Sequence, residues 1–168
     1  GGTLFLDEIN SLDINLQVKL LKAIEEKTIR RIGGKKNISL DIRVIAATNE
    51  DPEVLLAEKR LRDDLFYRFV VQIDLPNLSE RKDDIVVLLE YYMNFYNNNM
   101  NIKINSYQPE VLDCFKRYDW PGNIRELKNA VETAYNNAVS NQITMDDIPK
   151  RITKNASHST PVRKGRML

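Results

Sequence analysis

The sequence is poor in the features that mark secreted and membrane proteins. It contains one cysteine, Cys114, among 168 residues, so an internal disulfide is excluded and a reducing compartment such as the cytoplasm is expected. No apolar stretch approaches the length of a membrane span, and no signal peptide is visible. The composition therefore predicts a cytoplasmic chain with no membrane partner.

Two further features are missing at the start of the chain. It begins without methionine, directly on an apolar run. Nothing in it matches G-x-x-x-x-G-K-[ST], the loop whose backbone N–H groups hold nucleotide phosphates. We therefore expect the sequence to be the downstream part of a longer protein.

The residues that are present suffice for a folded core. With 42% hydrophobic and 29% charged residues, the chain is expected to hold one domain and part of another. The net charge of +1 conceals an asymmetry, because residues 150–168 carry six Lys or Arg and no acid. The body of the chain is mildly acidic, and we expect its tail to be a disordered basic linker that contacts DNA weakly at most.

The first eight residues, GGTLFLDE, are an apolar run that ends in two adjacent carboxylates, Asp7 and Glu8. A run without polar alternation indicates a strand buried on both faces of a parallel sheet. Such a strand places the residues after it at the carboxyl edge, where open α/β folds bind ligands. The alternative is that the two acids cap the next helix or face solvent.

A second run of this kind, RVIAATN, ends in Thr48 and Asn49. The Asn49 amide could hold a water or a phosphate oxygen, close to Asp7 and Glu8 if the two strands are neighbours. Alternatively, residues 49–52 are only a turn that leads into a helix over 53–59.

The segment LRDDLFYRF carries Arg62 and Arg68 and precedes a third predicted strand, residues 70–75. Arginine is always charged and binds phosphate through two nitrogens, so it suits the stabilisation of phosphoryl transfer. The alternative is that the arginines form surface salt bridges with Asp63 and Asp64.

The other elements of the first half have structural interpretations. Asp13 is expected to cap a helix over 14–26, whose apolar stripe consists of Leu16, Leu20, Leu21 and Ile24. Residues 28–40 form a predicted hairpin with a Gly33-Gly34 turn. The hairpin is basic, which suits a solvated edge better than a binding surface.

Residues 77–149 are predicted to be a second, smaller and entirely helical unit. Ser79 is expected to cap its first helix, and the Trp120-Pro121-Gly122-Asn123 break precedes its last one. Helices are predicted over 85–97, from Pro109, and over 124–139.

Together the motifs resemble one family, the sigma-54-dependent transcription activators known as bacterial enhancer-binding proteins. The motifs that carry the resemblance are GGTLFLDEI, RRIGG, RVIAATN, LRDDLFYRF and YDWPGNIREL. The resemblance implies an α/β fold with an incomplete AAA+ P-loop type parallel sheet over residues 1–76. It also implies an all-helical lid over 77–149 and, after the lid, the basic tail over 150–168.

The resemblance also implies roles for individual residues. Asp7 matches the magnesium-associated acid of the Walker B strand, Glu8 the acid that activates water, and Asn49 the sensor I residue. Arg62 and Arg68 match two arginines that complete the site of a neighbouring subunit. Arg125 matches sensor II of the lid, which would contact the nucleotide.

The resemblance implies ATP and Mg²⁺ as cofactors and a ring of six or seven subunits. Sigma-54 RNA polymerase would be its partner, and enhancer DNA would be bound by a domain outside these residues. The basic hairpin resembles the second pore-side loop.

The family's Walker A loop, the strand after it and its Gly-Ala-Phe-Thr-Gly-Ala loop are missing, and Asp63 stands where glutamate is usual. We therefore expect this piece alone to bind ATP weakly or not at all. A second hypothesis is a truncated, non-catalytic fragment that only interacts with intact oligomers.

Overall fold

The computed structural model describes residues 1–100 and 102–156. Its contacts divide the chain into two units, Gly1–Ile73 and the part from Asp74 onward. Within the described residues, no helix is both long and apolar enough to cross a membrane. Residues 157–168, part of the predicted linker, lie outside the described residues.

The first unit combines short strands with helices. Its elements are β1 (Gly2–Leu6), α1 (Ile14–Glu26), β2 (Thr28–Arg30), β3 (Asn37–Ser39), β4 (Ile42–Ala46), α2 (Pro52–Ala57) and α3 (Asp63–Phe66). A short 3-10 helix, Ile9–Ser11, follows β1. Strands β1 and β4 pair in parallel, and β2 and β3 form the predicted antiparallel hairpin, in which Gly33 has a φ of +73°. The predicted α/β class is confirmed.

The burial predicted for the first two strands is wrong for this chain. Phe5 in β1 is 59% exposed, and Ile42 and Ile45 in β4 are also exposed. Within the described residues the sheet has only these two strands, so much of its apolar surface remains uncovered. An apolar strand is buried on both faces only where other layers cover both faces.

The third predicted strand does not form. Residues 70–75 have no regular structure, and Val70 and Leu75 are 90% and 85% exposed. A strand exists only where a neighbour accepts and donates its backbone hydrogen bonds. No strand in the described part of the chain pairs with this segment.

Helix α1 begins as predicted, and its core-facing stripe differs from the predicted one at a single position. The Asp13 carboxylate accepts a hydrogen bond from the Asn15 amide at 2.8 Å, so it is the predicted cap. Leu16 is 48% exposed, whereas Gln17 is fully buried. The stripe that faces the core of this unit consists of Gln17, Leu20, Leu21 and Ile24. Leu20, Leu21 and Ile24 were predicted correctly, and Gln17 takes the position predicted for Leu16.

The second unit is a helical bundle with one small strand pair. Its elements are α4 (Asp84–Asn99), β5 (Ser106–Tyr107), α5 (Pro109–Arg117), α6 (Asn123–Asn137), β6 (Gln142–Ile143) and α7 (Lys150–Ala156). The parallel pairing of β5 with β6 corrects the prediction of an entirely helical unit. Ser79 is not a cap, because it lies inside a 3-10 helix that Asn77 and Glu80 cap reciprocally.

Helix α7 corrects the prediction of disorder for the start of the tail. Ile152 is fully buried in the core of the second unit, and Ile148 four residues earlier is buried there too. Arg151 remains exposed. Ile152 lies on α7 and Ile148 just before it, and together they bury enough apolar surface to dock this helix. The basic residues around them hid that signal.

The core of the second unit is rich in aromatic side chains. Trp120 is buried, donates its indole N–H to the Phe115 carbonyl at 2.8 Å and meets the rings of Phe115 and Tyr118 edge to face. Tyr135 is also buried and donates its hydroxyl to the Met93 carbonyl at 2.9 Å. Burial raises the pKa of Tyr135 to about 12, so the hydroxyl remains a donor at neutral pH.

Tyr135→Phe should lower the free energy of unfolding of the second unit by about 1 kcal/mol, because it removes one buried hydrogen bond. The single tryptophan, Trp120, reports unfolding by its fluorescence in urea. Tyr91→Phe is the matched control, since Tyr91 lies on α4 and is exposed. Equal stability of the two variants would contradict a contribution from the Tyr135 hydroxyl.

Candidate functional site

The carboxyl ends of β1 and β4 lie side by side and leave two residues looped out. The Ala47 amide donates to the Leu6 carbonyl at 2.8 Å, and the Ile9 amide donates to the Ala47 carbonyl at 2.9 Å. Asp7 and Glu8 lie between these two bonds. Both acids are therefore held at the carboxyl edge of the sheet, beside the end of β4.

Glu8 has a strained backbone. Its φ of 48° and ψ of 55° fall in the left-handed region, which costs a residue other than glycine about 1 to 3 kcal/mol. The Glu8 amide donates to the Asp7 carboxylate at 3.1 Å, and both side chains are exposed. Strain of this kind clusters at ligand sites, although Lys27, Lys59, Trp120 and Asn123 of this chain also have positive φ.

The end of β4 is ordered by Thr48. Its hydroxyl donates to the Asn10 side chain at 3.1 Å and accepts the Glu50 amide at 3.2 Å. Asn49 follows directly and is exposed. The parallel pairing of β1 with β4 thus brings Asn49 to the edge that carries Asp7 and Glu8, as expected for neighbouring strands.

A polar network, which the sequence did not reveal, continues from this edge. Asn10 and Arg60 each donate to the same oxygen of the Glu50 carboxylate, both at 2.7 Å. The hydrogen bonds from Arg60 hold the pKa of Glu50 below its usual range. Because Arg60 lies two residues before Arg62, this network joins the strand end to the arginine segment.

Arg62 is paired within its own segment. Its Nε and Nη2 donate to the two carboxylate oxygens of Asp64 at 2.9 and 2.6 Å. The hydrogen bonds from Arg62 lower the pKa of Asp64, and the Arg62 side chain is 35% exposed. The salt-bridge alternative is therefore present in this structure, and Arg62 must leave Asp64 to bind anything else.

Arg68 lies apart from Arg62. It is exposed just beyond α3 and lines a hollow with Ile24, Leu40 and Phe69. Arg62 borders a different hollow, with Lys59 and Asp63 among its lining residues. The structure thus does not bring the two arginines into one site of this chain.

Arg125 lies in the second unit, in the first turn of α6, and is exposed. The neighbouring Glu126 carboxylate accepts the Gly122 amide at 2.9 Å and the Tyr118 hydroxyl at 3.1 Å. A Cβ at Gly122 would lie 2.7 Å from the Cβ of Glu126, so this turn needs glycine. The turn fixes where the helix that carries Arg125 begins.

The acids at the edge of the sheet fit a magnesium ion associated with phosphates. No group of three or more His, Cys, Asp or Glu residues in the described part of the chain could hold a metal ion by itself. Magnesium in nucleotide sites needs only one or two carboxylates, since waters and phosphates complete its shell. The exposed carboxylates of Asp7 and Glu8 meet that requirement.

Two family descriptions match consecutive parts of the chain. Residues 1–74 match "Sigma-54 interaction domain", and residues 79–164 match "AAA+ ATPase lid domain". The chain belongs to the AAA+ family of sigma-54-dependent transcription activators, which confirms the resemblance of its motifs.

Individual proteins show the same likeness. The chain is 46% identical to the transcriptional activator RocR of Bacillus subtilis over 89% of its length and 33% of that protein. It is 40% identical to the transcriptional regulatory protein ZraR of Escherichia coli K12, over 98% of its length and 36% of that protein. The chain thus spans about a third of these relatives.

A solved structure confirms the fold. The structure of NtrX from Brucella abortus in complex with ATP superposes with a TM-score of 0.82 at 31% identity. The match covers 90% of this chain and 36% of that one.

Proposed function

We propose that this chain provides the hydrolytic and trans-acting residues of an ATP-driven ring that remodels sigma-54 RNA polymerase at the start of transcription. The observation that carries the proposal is the placement of Asp7 and Glu8 beside Asn49, at the carboxyl edge of paired parallel strands. Family membership and the ATP complex of NtrX support the same conclusion.

Each side chain at the edge has a distinct role in this proposal. Asp7 would hold Mg²⁺, which when bound neutralises charge on the phosphates. Glu8 would accept a proton from the attacking water or orient it, and Asn49 would hold that water or a phosphate oxygen. The Glu8 carboxylate is exposed at this edge, so it is accessible to a water or a nucleotide.

In this proposal the two arginines of the segment after α2 act on a second copy of the chain. Arg62 and Arg68 would act on the nucleotide of a neighbouring subunit in a ring of six or seven, where their charge stabilises the transferred phosphoryl group. We assign Arg125 to nucleotide contact through its lid motif. The ring would work in the cytoplasm, with enhancer DNA bound through another part of the protein.

The proposal is tested by Asp7→Asn in the full-length protein. The ATP dissociation constant measured with Mg²⁺ should rise at least about tenfold, equivalent to ~1.4 kcal/mol. The value measured without Mg²⁺ should stay unchanged, because the carboxylate acts through the ion.

Asp41→Asn is the matched control. Asp41 is exposed and lies directly before β4, at the amino end of the strands, whereas Asp7 lies at their carboxyl end. The Asp41→Asn variant should bind Mg-ATP like the parent. Unaltered Mg-ATP affinity in Asp7→Asn would refute the assignment of this edge.

A further inference from the structure

Helix α1 buries an amide where its pattern calls for an apolar side chain. Gln17 is fully buried, and it is the one residue of α1 that reaches complete burial. Burying an unpaired amide costs a few kcal/mol, so a glutamine is retained there only if its polar atoms are bound. The hydrogen-bond partners of Gln17 therefore indicate its structural role.

The Gln17 side chain binds the backbone of the arginine segment. Its Nε2 donates to the Arg60 carbonyl at 2.8 Å, and its Oε1 accepts the Arg62 amide at 3.0 Å. Nε2 also donates to the Leu12 carbonyl at 3.0 Å, in the loop that precedes α1. One amide thus pairs with the carbonyl and the amide on either side of Leu61, as a neighbouring strand would.

Two other contacts hold the same three residues. Leu61 is buried in the core of the first unit, and the Arg60 side chain is bound to Glu50 at the end of β4. The Arg62 side chain is different, because it is partly exposed and its hydrogen bonds within the described residues go to the exposed carboxylate of Asp64. The backbone of Arg62 is therefore clamped, while its guanidinium can change partners.

We propose that Gln17 is the positioning residue for Arg62. It fixes the backbone point from which the arginine reaches the nucleotide of the neighbouring subunit. This inference rests on the proposed function, because it requires Arg62 to act in trans. A displacement of about 1 Å at a reacting group can lower the rate about 100-fold, so a rigid clamp has a kinetic consequence.

The first test is Gln17→Met in the full-length protein. Methionine has a similar length and is apolar, so it fills the space without either hydrogen bond. ATP turnover should fall about 10- to 100-fold, while the ATP dissociation constant of the variant's own site stays within about twofold. Leu20→Ala on the same helix is the control for packing, because it removes half-buried carbon from the core of this unit and no hydrogen bond to residues 60–62.

A mixing experiment separates this role from general damage. Gln17→Met subunits keep an intact hydrolytic edge and present a misplaced arginine, whereas Glu8→Gln subunits have the opposite defect. In randomly mixed closed rings, about a quarter of the interfaces join an intact edge to an intact arginine. Mixing the two impaired proteins should therefore raise turnover to roughly that fraction of the parent rate.

Two further mixtures separate the positioning role of Gln17 from the trans role of Arg62. Arg62→Ala with Glu8→Gln tests the trans arginine itself, and it should restore turnover in the same way. If it does and Gln17→Met with Glu8→Gln does not, Gln17 is not a positioning residue. If neither restores turnover, the trans role of Arg62 is wrong and the inference falls with it. A mixture of Gln17→Met with Arg62→Ala should not gain turnover, because neither protein presents an intact arginine. Recovery in that mixture would also overturn the inference.

Gln17→Glu is the second variant should methionine prevent folding. In its protonated form, the carboxyl group still accepts the Arg62 amide and donates one hydrogen bond, to the Arg60 or the Leu12 carbonyl. It should therefore retain more turnover than Gln17→Met and respond equally to mixing with Glu8→Gln. A Gln17→Glu protein that folds, loses turnover and is not restored by mixing would contradict the assignment.

Discussion

Glu8→Gln should lower steady-state ATP hydrolysis by the full-length protein about 100- to 10,000-fold, the contribution expected of a positioned general base. The amide keeps the size of the side chain and cannot accept the proton of the attacking water. ATP affinity should stay near that of the parent, because Asp7 remains in place to hold Mg²⁺. Hydrolysis is measured by phosphate release and affinity by equilibrium titration.

Two further variants test whether the loss of hydrolysis is specific to the Glu8 carboxylate. Glu53→Gln, at an exposed acid in the first turn of α2, should hydrolyse ATP normally. Glu8→Gly should lose turnover like Glu8→Gln yet gain about 1 kcal/mol of stability, because glycine adopts the left-handed backbone without strain. If Glu8→Gln hydrolyses ATP at the rate of the parent protein, Glu8 is not the general base.

Arg62→Ala should reduce ATP turnover about 1,000- to 100,000-fold, the range associated with an arginine that stabilises phosphoryl transfer. The arginine acts on the neighbour's nucleotide, so the variant should still bind Mg-ATP at its own edge. Arg62→Lys should recover little, since a lysine cannot make two parallel bonds to a phosphate. Single-turnover hydrolysis of assembled rings is the measurement.

The control for Arg62→Ala is its ion-pair partner. Asp64→Asn breaks the same exposed pair from the other side and leaves the guanidinium in place, so most turnover should remain. Arg43→Ala removes an exposed arginine from β4 and should have no effect. Equal losses in Arg62→Ala and Asp64→Asn would mean that the ion pair matters and the arginine does not act in trans.

Local patterns predicted the elements that depend on neighbours in the chain. The cap at Asp13, the Gly33 turn of the hairpin and the helix from Pro109 all form as expected, because side chains only a few residues away determine them. The ends of the apolar runs also placed Asp7 and Asn49 at adjacent strand ends. Their catalytic roles remain predictions.

The missed features depend on contacts between distant parts of the chain. Residues 70–75 have the composition of a strand, but pairing decides whether a strand forms. Helix α7 exists because Ile152 docks into a core built from earlier helices. A buried glutamine such as Gln17 differs from a solvated one only in its surroundings, and its two partners in the arginine segment lie 43 and 45 residues away.

By itself, the amino-acid sequence determined the family, because five short motifs occur in the order and approximate spacing of that family. The matches to two family descriptions confirm it. Only the tertiary structure decided the backbone conformation of Glu8 and which side chain clamps the backbone of Arg62. Those features are set by a left-handed φ angle and by hydrogen bonds between separate elements. Backbone angles and long-range bonds leave no mark on hydrophobic periodicity, which is the signal that a single sequence offers.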